Sequence, residues 1–227
     1  MKSSAERELL LHHYKEIKDQ IEKACSTSKR NSHEVKLVVI SKFQPETKIR
    51  WLLEAGHREF GESRVEELQK KWEPLLPIYP DIRLHYIGKI QSRKIRHIVR
   101  YCHIVHSLDR IDIAKIIASE CIKQNKFIEC LIQINTGAES QKSGIDPYYF
   151  PIFLQECRMI RQLIIQGIMC IPPANQDPLP HFHLMQNLKN NFGLNELSMG
   201  MSNDYIDAIQ CGATMLRIGT KIMGYRQ

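Results

Sequence analysis

Three short stretches of this 227-residue chain hold side chains with chemistry in them. Lys42 follows directly on the apolar run 36–41 (KLVVIS). An amine at the end of a buried strand is poorly solvated; its pKa falls, and the free base becomes a nucleophile suited to Schiff-base formation. Taken alone, Lys42 reads rather as a lysine that lays its stem along a strand end with the charge in water; the phosphate-type turns below reverse that balance. The other two stretches lie in 197–224 (LSMGMSNDYIDAIQCGATMLRIGTKIMG). Ser202, in Ser202-Asn203-Asp204, stands at the start of a helix-like run, and Gly219-Thr220 follow the short apolar strand 214–218. Each place sets free backbone N–H groups beside a hydroxyl, which suits a phosphate. An amine together with a phosphate cradle is what pyridoxal 5′-phosphate (PLP) requires. Arg217, two residues before Gly219, has two readings: a member of a rim ion pair, or a cation facing the PLP pyridine nitrogen. An always-charged guanidinium there would keep that nitrogen unprotonated and weaken the ring as an electron sink.

These residues must be positioned by a scaffold, and the pattern supplies one. Residues 3–24 read as an amphipathic helix, with Ser3 and Glu6 as a capping box and Leu10, Tyr14, Ile17, Ile21 and Ala24 at helical spacing. Strands are then expected at 36–41, 58–60, 83–87, 103–107, 127–135, 163–171, 196–199 and 214–218, alternating with helices. Pro45 suits a first helical turn, Ser63 with Glu66 a second capping box for 65–71, and Asp109 the cap of a helix reaching Gln124. Residues 73–80 read as a proline-bearing loop, 90–101 as a basic helix and 181–191 as a late helix. This count predicts a single (β/α)8 barrel of the TIM type with an extra N-terminal helix, lacking a second β domain; an open doubly wound sheet is the runner-up. The expected limits are one domain over 1–227, with the helix in 1–30 and the barrel in 36–224. In such a barrel the Ser202 and Gly219-Thr220 loops follow strands seven and eight, where phosphate is commonly held.

Composition narrows the classes. Apolar runs are far too short for a membrane span, and Leu9-Leu10-Leu11 followed by His12-His13 is no signal peptide. No membrane association and a cytoplasmic location are therefore expected. Seven scattered cysteines without a C-x-x-C pair favour reduced thiols over disulfides or zinc, and Cys170 and Cys211 read as small core residues. His181 and His183 lack ligand partners at metal spacing. The net charge of +7 raises nucleic acid as a partner, and Lys89, Arg93, Arg96 and Arg100 fall near one face of 90–101, beside Lys94 and His97. Without interleaved aromatics that face reads as solvated, so no nucleic-acid binding is expected. Glu139 and Lys142 are placed to pair with each other in the loop after strand five.

Longer motifs carry a resemblance. VVISKFQP (38–45), FGESRVEE (60–67), HYIGKIQSRK (85–94), KSG (142–144), GIMCIPP (167–173), LSMGMSNDYIDAIQCGAT and LRIGTKIMG resemble the PLP homeostasis family (YggS/PROSC type), itself similar to the barrel domain of alanine racemase. The resemblance covers almost all of the chain beyond its first helix. It implies that Lys42 is the Schiff-base lysine, that Ser202, Gly219 and Thr220 hold the phosphate with a backbone contact near Met201, and that Arg217 faces the pyridine nitrogen. Two positions depart from the family pattern, Ser63 and Arg93, where Asn is usual; the departure at Ser63 bears on a polar contact near the cofactor.

The resemblance implies a PLP-binding, PLP-buffering protein of vitamin B6 homeostasis without strong catalytic activity, with apo PLP enzymes as acceptors. About nine residues follow the last expected strand, so no further domain is expected over the barrel mouth, and a monomer is expected. A slow amino-acid racemase is the alternative; such an enzyme needs a second acid/base group on the opposite face of its substrate. Apart from the resemblance, a Schiff-base aldolase acting on a phosphorylated sugar competes.

Overall fold

The computed structural model describes residues 2–139 and 143–225, with the side chains of Lys2 and Ser3 excepted. The expected Ser3 cap needs a side chain, and the expected Glu139–Lys142 pair a residue, Lys142, outside those described. Eight parallel strands close in sequence order into one barrel. They are β1 (Lys36–Ile40), β2 (Glu59–Glu62), β3 (Arg83–Tyr86), β4 (Ile104–Leu108), β5 (Ile128–Ile134), β6 (Leu163–Cys170), β7 (Glu196–Ser198) and β8 (Met215–Ile218). β8 pairs with β1 from Lys36↔Met215 to Val39↔Ile218, so the sheet has no open edge. Both faces of the sheet are covered, which is why strands such as β1 and β6 read as largely apolar runs. Val38, Ile40, Ile104, Leu131, Met169 and Met215 form a cluster of their own inside the barrel. Residues of the opposite parity, such as Val39, Phe60, Leu84 and Val105, join the larger core beneath the helices.

The outer layer comprises α1 (Lys2–Thr27), α2 (Glu46–Glu54), α3 (Val65–Glu67), α4 (Ile95–Tyr101), α5 (Ile111–Lys123), α6 (Phe150–Arg158), α7 (Pro178–Asn191), α8 (Tyr205–Gln210) and α9 (Thr220–Met223). Helix α1 buries Leu10, Ile17, Ile21 and Ala24 and packs against α2, α8 and α9. Tyr14 Oη lies 3.2 Å from His57 Nδ1, and Arg30 Nη1 donates to the Ile209 carbonyl at 2.7 Å. No helix among the described residues is long and apolar enough to cross a membrane.

Several local expectations are corrected. Pro45 is the N-cap of α2 and not part of its first turn, since the helix begins at Glu46. The Ser63/Glu66 capping box does not form: Arg64 holds the N-cap place, and Glu66 pairs with Lys94. Ser63 belongs to the barrel rim, where its backbone lies so close to Gly88 that a Cβ there would sit 2.2 Å from the Ser63 oxygen. The helix expected over 65–71 is one α turn passing into a π turn, Leu68–Trp72. Asp109 does not cap α5, because its Oδ2 accepts from the Gly144 N–H at 3.1 Å while Arg110 takes the N-cap place. The basic helix starts as the 3-10 turn Ser92–Lys94, and the Lys94 and Arg100 charges are met by Glu66 and Glu73. All seven cysteines are buried and free.

Candidate functional site at the barrel mouth

The C-terminal ends of the strands surround a cavity of about 710 Å³. Lys42, Met201, Ser202, Arg217, Gly219 and Thr220 all line it, although they come from opposite ends of the chain. Apolar walls are supplied by Ile40, Ile87 and Met169, and by Ile171, Pro172 and Pro173 of the loop after β6. Ser63, one of the two departures from the family pattern, lines the cavity, whereas Arg93 does not.

The two phosphate-type turns are built differently. After β7 the chain reverses at Gly200, whose φ of +90° suits glycine, and a Cβ there would lie 2.6 Å from Ala208 Cβ. Ser202 then sits in the turn that precedes α8, three residues before its first helical residue Tyr205 and not at the helix start itself. Asp204 Oδ1 accepts from the Met201 N–H at 2.6 Å and fixes this turn. A ligand contact to the Met201 N–H would compete with that bond. The Ser202 and Asn203 N–H groups donate to none of the described residues. After β8, Gly219 lies against β1, where a Cβ would sit 3.2 Å from Ile40 Cβ, and Thr220 opens α9 with N–H groups that have no intrahelical acceptor. Two turns with backbone donors, each beside a hydroxyl, thus border one cavity.

Arg217 is 4% exposed and lies at the cavity floor, inside the barrel. It is not in a rim ion pair. Nη1 donates to Ser198 Oγ at 2.7 Å and Nη2 to the Cys170 carbonyl at 2.9 Å. Burial lowers its pKa from the usual guanidinium range, opposed by Cys170 and Asp204. Behind Ser198 runs a polar chain through the barrel: Ser198 Oγ to His106 Nδ1 at 3.0 Å, His106 Nε2 to His85 Nδ1 at 2.8 Å, and His85 Nε2 to Glu59 Oε2 at 2.5 Å. Arginine can only donate, so one proton per imidazole satisfies every member in a single sense, ending on the carboxylate. Burial, then the charges of His85 and Arg217, hold His106 well below the ordinary imidazole pKa. Burial raises Glu59, but the hydrogen bond and charge of His85 more than offset it, and its pKa falls.

Ser198, His106, His85 and Glu59 went unread in the sequence as site residues. Their signal is a polar residue of inward parity within an otherwise apolar strand, as in RLHY and IVHSL. The histidines 181 and 183 do not line the cavity: His181 bonds the Thr136 carbonyl and Gln176, the latter a lining residue, and His183 lies near Cys211 Sγ. A second cavity, about 530 Å³, lies between α4 and α5 and is lined by Arg96, Arg100, Glu120, Lys123, Gln124 and Lys126.

With this geometry in place, the comparisons with known proteins converge. The family model described as alanine racemase, N-terminal domain, matches residues 8–227. A pyridoxal phosphate homeostasis protein of Aquifex aeolicus is 34% identical over 220 residues, covering 93% of this chain and 96% of that protein. The chain belongs to the pyridoxal phosphate homeostasis family. PipY of Synechococcus elongatus PCC7942, solved with PLP bound, is 30% identical with a TM-score of 0.78, over 90% of this chain and 100% of that one. An alanine racemase of Clostridium difficile 630 shares the fold at 11% identity and a TM-score of 0.75, over 96% of this chain and 57% of the racemase.

Proposed function

We propose that this homeostasis-family protein binds PLP at the barrel mouth, linked covalently through Lys42, and carries or buffers it for apo PLP enzymes. One observation carries the reading: Lys42, two phosphate-type turns and the Arg217 guanidinium line a single cavity. The residues present fit the group. Ser202 and Thr220 offer hydroxyls beside unpartnered N–H groups, and Gly219, where a Cβ would press on Ile40, lets this turn pack tightly against β1. Arg217, anchored on two sides and lining the cavity, would offer a donor to the ring nitrogen without being able to take its proton. Bound here, the cofactor supplies an aldehyde that condenses with an amine, releasing one water. Lys42 supplies that amine from the end of β1. The PLP-bound PipY structure and the name shared by the relatives support the same reading.

The test is chemical trapping. The protein is incubated with PLP, reduced with borohydride and digested, and the labelled peptide is sequenced by mass spectrometry. One stoichiometric label on Lys42 is expected. A label spread over surface lysines, with none on Lys42, would contradict the proposal.

A further inference from the structure

Lys42 is set by the backbone on either side of it, and that backbone is gripped from outside the barrel by a buried ion network. Phe43, the next residue, has φ 60°, in the left-handed region that a bulky side chain enters only when its surroundings impose it. Lys71, in the π turn, is 5% exposed. Its ammonium reaches the Ser41 carbonyl at 2.7 Å, Glu62 Oε1 at 2.5 Å and Glu67 Oε2 at 2.6 Å, which uses all three of its protons. The same Glu67 Oε2 accepts from the Phe43 N–H at 2.7 Å, and the same Glu62 Oε1 accepts from Ser41 Oγ at 2.7 Å. One ammonium therefore ties the residue before Lys42 directly and the residue after it through Glu67. Glu62 is fully buried, and its Oε2 has no hydrogen-bond partner among the described residues.

Burying Lys71 and Glu62, with Glu67 half-buried beside them, costs desolvation that their mutual attraction scarcely repays, so such a network is poor value as a stabiliser alone. What it does supply here is a fixed direction for the Cα–Cβ bond of Lys42. We propose that Lys71 is a positioning residue for Lys42: with Glu67 and Glu62 it holds the left-handed step at Phe43 and so aims the amine into the cavity. This rests on the PLP reading above.

The experiment compares two ligands on folded wild-type protein, Lys71→Met and Phe43→Gly/Lys71→Met. PLP reports the covalent link to Lys42. Pyridoxamine 5′-phosphate has the same ring and phosphate without the aldehyde, and so reports the pocket alone. In K71M, covalent capture of PLP is expected to weaken or slow by about tenfold or more, since small misplacements of a reacting group are costly. Pyridoxamine phosphate affinity should stay within about twofold, a difference of only a few tenths of a kcal/mol. Glycine at 43 favours the left-handed step unaided, so the double variant should regain part of the loss. Should K71M fail to fold, Glu67→Met against Glu67→Gln carries the test, because glutamine keeps an acceptor for the Phe43 N–H and methionine does not. Equal loss of both ligands would show a merely structural role and overturn the proposal, as would unchanged PLP capture in K71M and E67M. Failure of the wild-type protein to capture PLP would instead overturn the functional reading itself.

Discussion

At the scale of single residues, the proposed site divides labour between the Lys42 amine, just past β1, and the turns after β7 and β8 that line the same cavity. Hydrogen bonds to a charged group are worth about 1.5–3 kcal/mol, so Ser202→Ala and Thr220→Val should each weaken PLP binding about tenfold or more. Neither should alter the affinity for pyridoxal, which lacks the phosphate. Parallel titrations with the two vitamers check this; equal losses for both would show that the hydroxyls do not read the phosphate. Lys42, Ser202, Gly219 and Thr220, which line one cavity, could be picked out as candidates because their signals are local: an amine after an apolar run, and hydroxyls beside turns. Arg217 was legible as a cation, but its residue pattern left the rim and the interior both open, since nothing in MLRI tells which face of the strand it occupies.

At the scale of elements, the barrel strands carry a second, interior message. Glu59, His85, His106, Ser198 and Arg217 come from β2, β3, β4, β7 and β8, and only closure of the sheet brings them into one chain. Sequence periodicity sees each of them separately, as a lone polar residue in a short strand. The same limit explains the mistaken cap at Ser63: the spacing to Glu66 is right, but Gly88 and Lys94, far away in sequence, claim the two residues. His106→Leu would leave His85 Nδ1 and Ser198 Oγ buried with a lost partner. Its unfolding free energy should fall by roughly 2–3 kcal/mol, and PLP affinity should fall with it through Arg217. Urea denaturation with and without PLP measures both, and a loss under about 0.5 kcal/mol would show that the chain is not holding the floor of the cavity.

The tie between α1 and the barrel yields a pH dependence. His57 is buried, its Nε2 lies 2.7 Å from the Glu59 carbonyl and its Nδ1 faces the Tyr14 hydroxyl, an arrangement that suits the neutral ring. Burial, against the pull of Glu59, lowers its pKa from 6.5 to about 4. The unfolded chain therefore binds more protons between these values. The His57 contribution is whole above about pH 6.5 and is lost as the pH falls toward 4, to a limit of roughly 3 kcal/mol. Unfolding midpoints measured from pH 7.5 to 4 should fall in wild type and fall less in His57→Gln. Parallel curves for the two proteins would contradict this assignment.

At the scale of the whole molecule, closure of eight parallel strands gathers residues separated by most of the chain into one mouth, and α1 braces α8 and α9 behind the two turns. The barrel was legible because strands buried on both faces leave apolar runs at regular intervals; element ends and caps were not, because distant partners decide them. The most direct test of Lys42 as the residue that holds PLP is an absorbance titration of the purified protein with PLP, run beside Lys42→Ala. Wild type should develop a saturable band displaced from that of free PLP, with one cofactor per chain, and the variant should leave the free-PLP spectrum unchanged. The same band in both proteins, or in neither, would contradict the assignment of Lys42 as the residue that holds the cofactor.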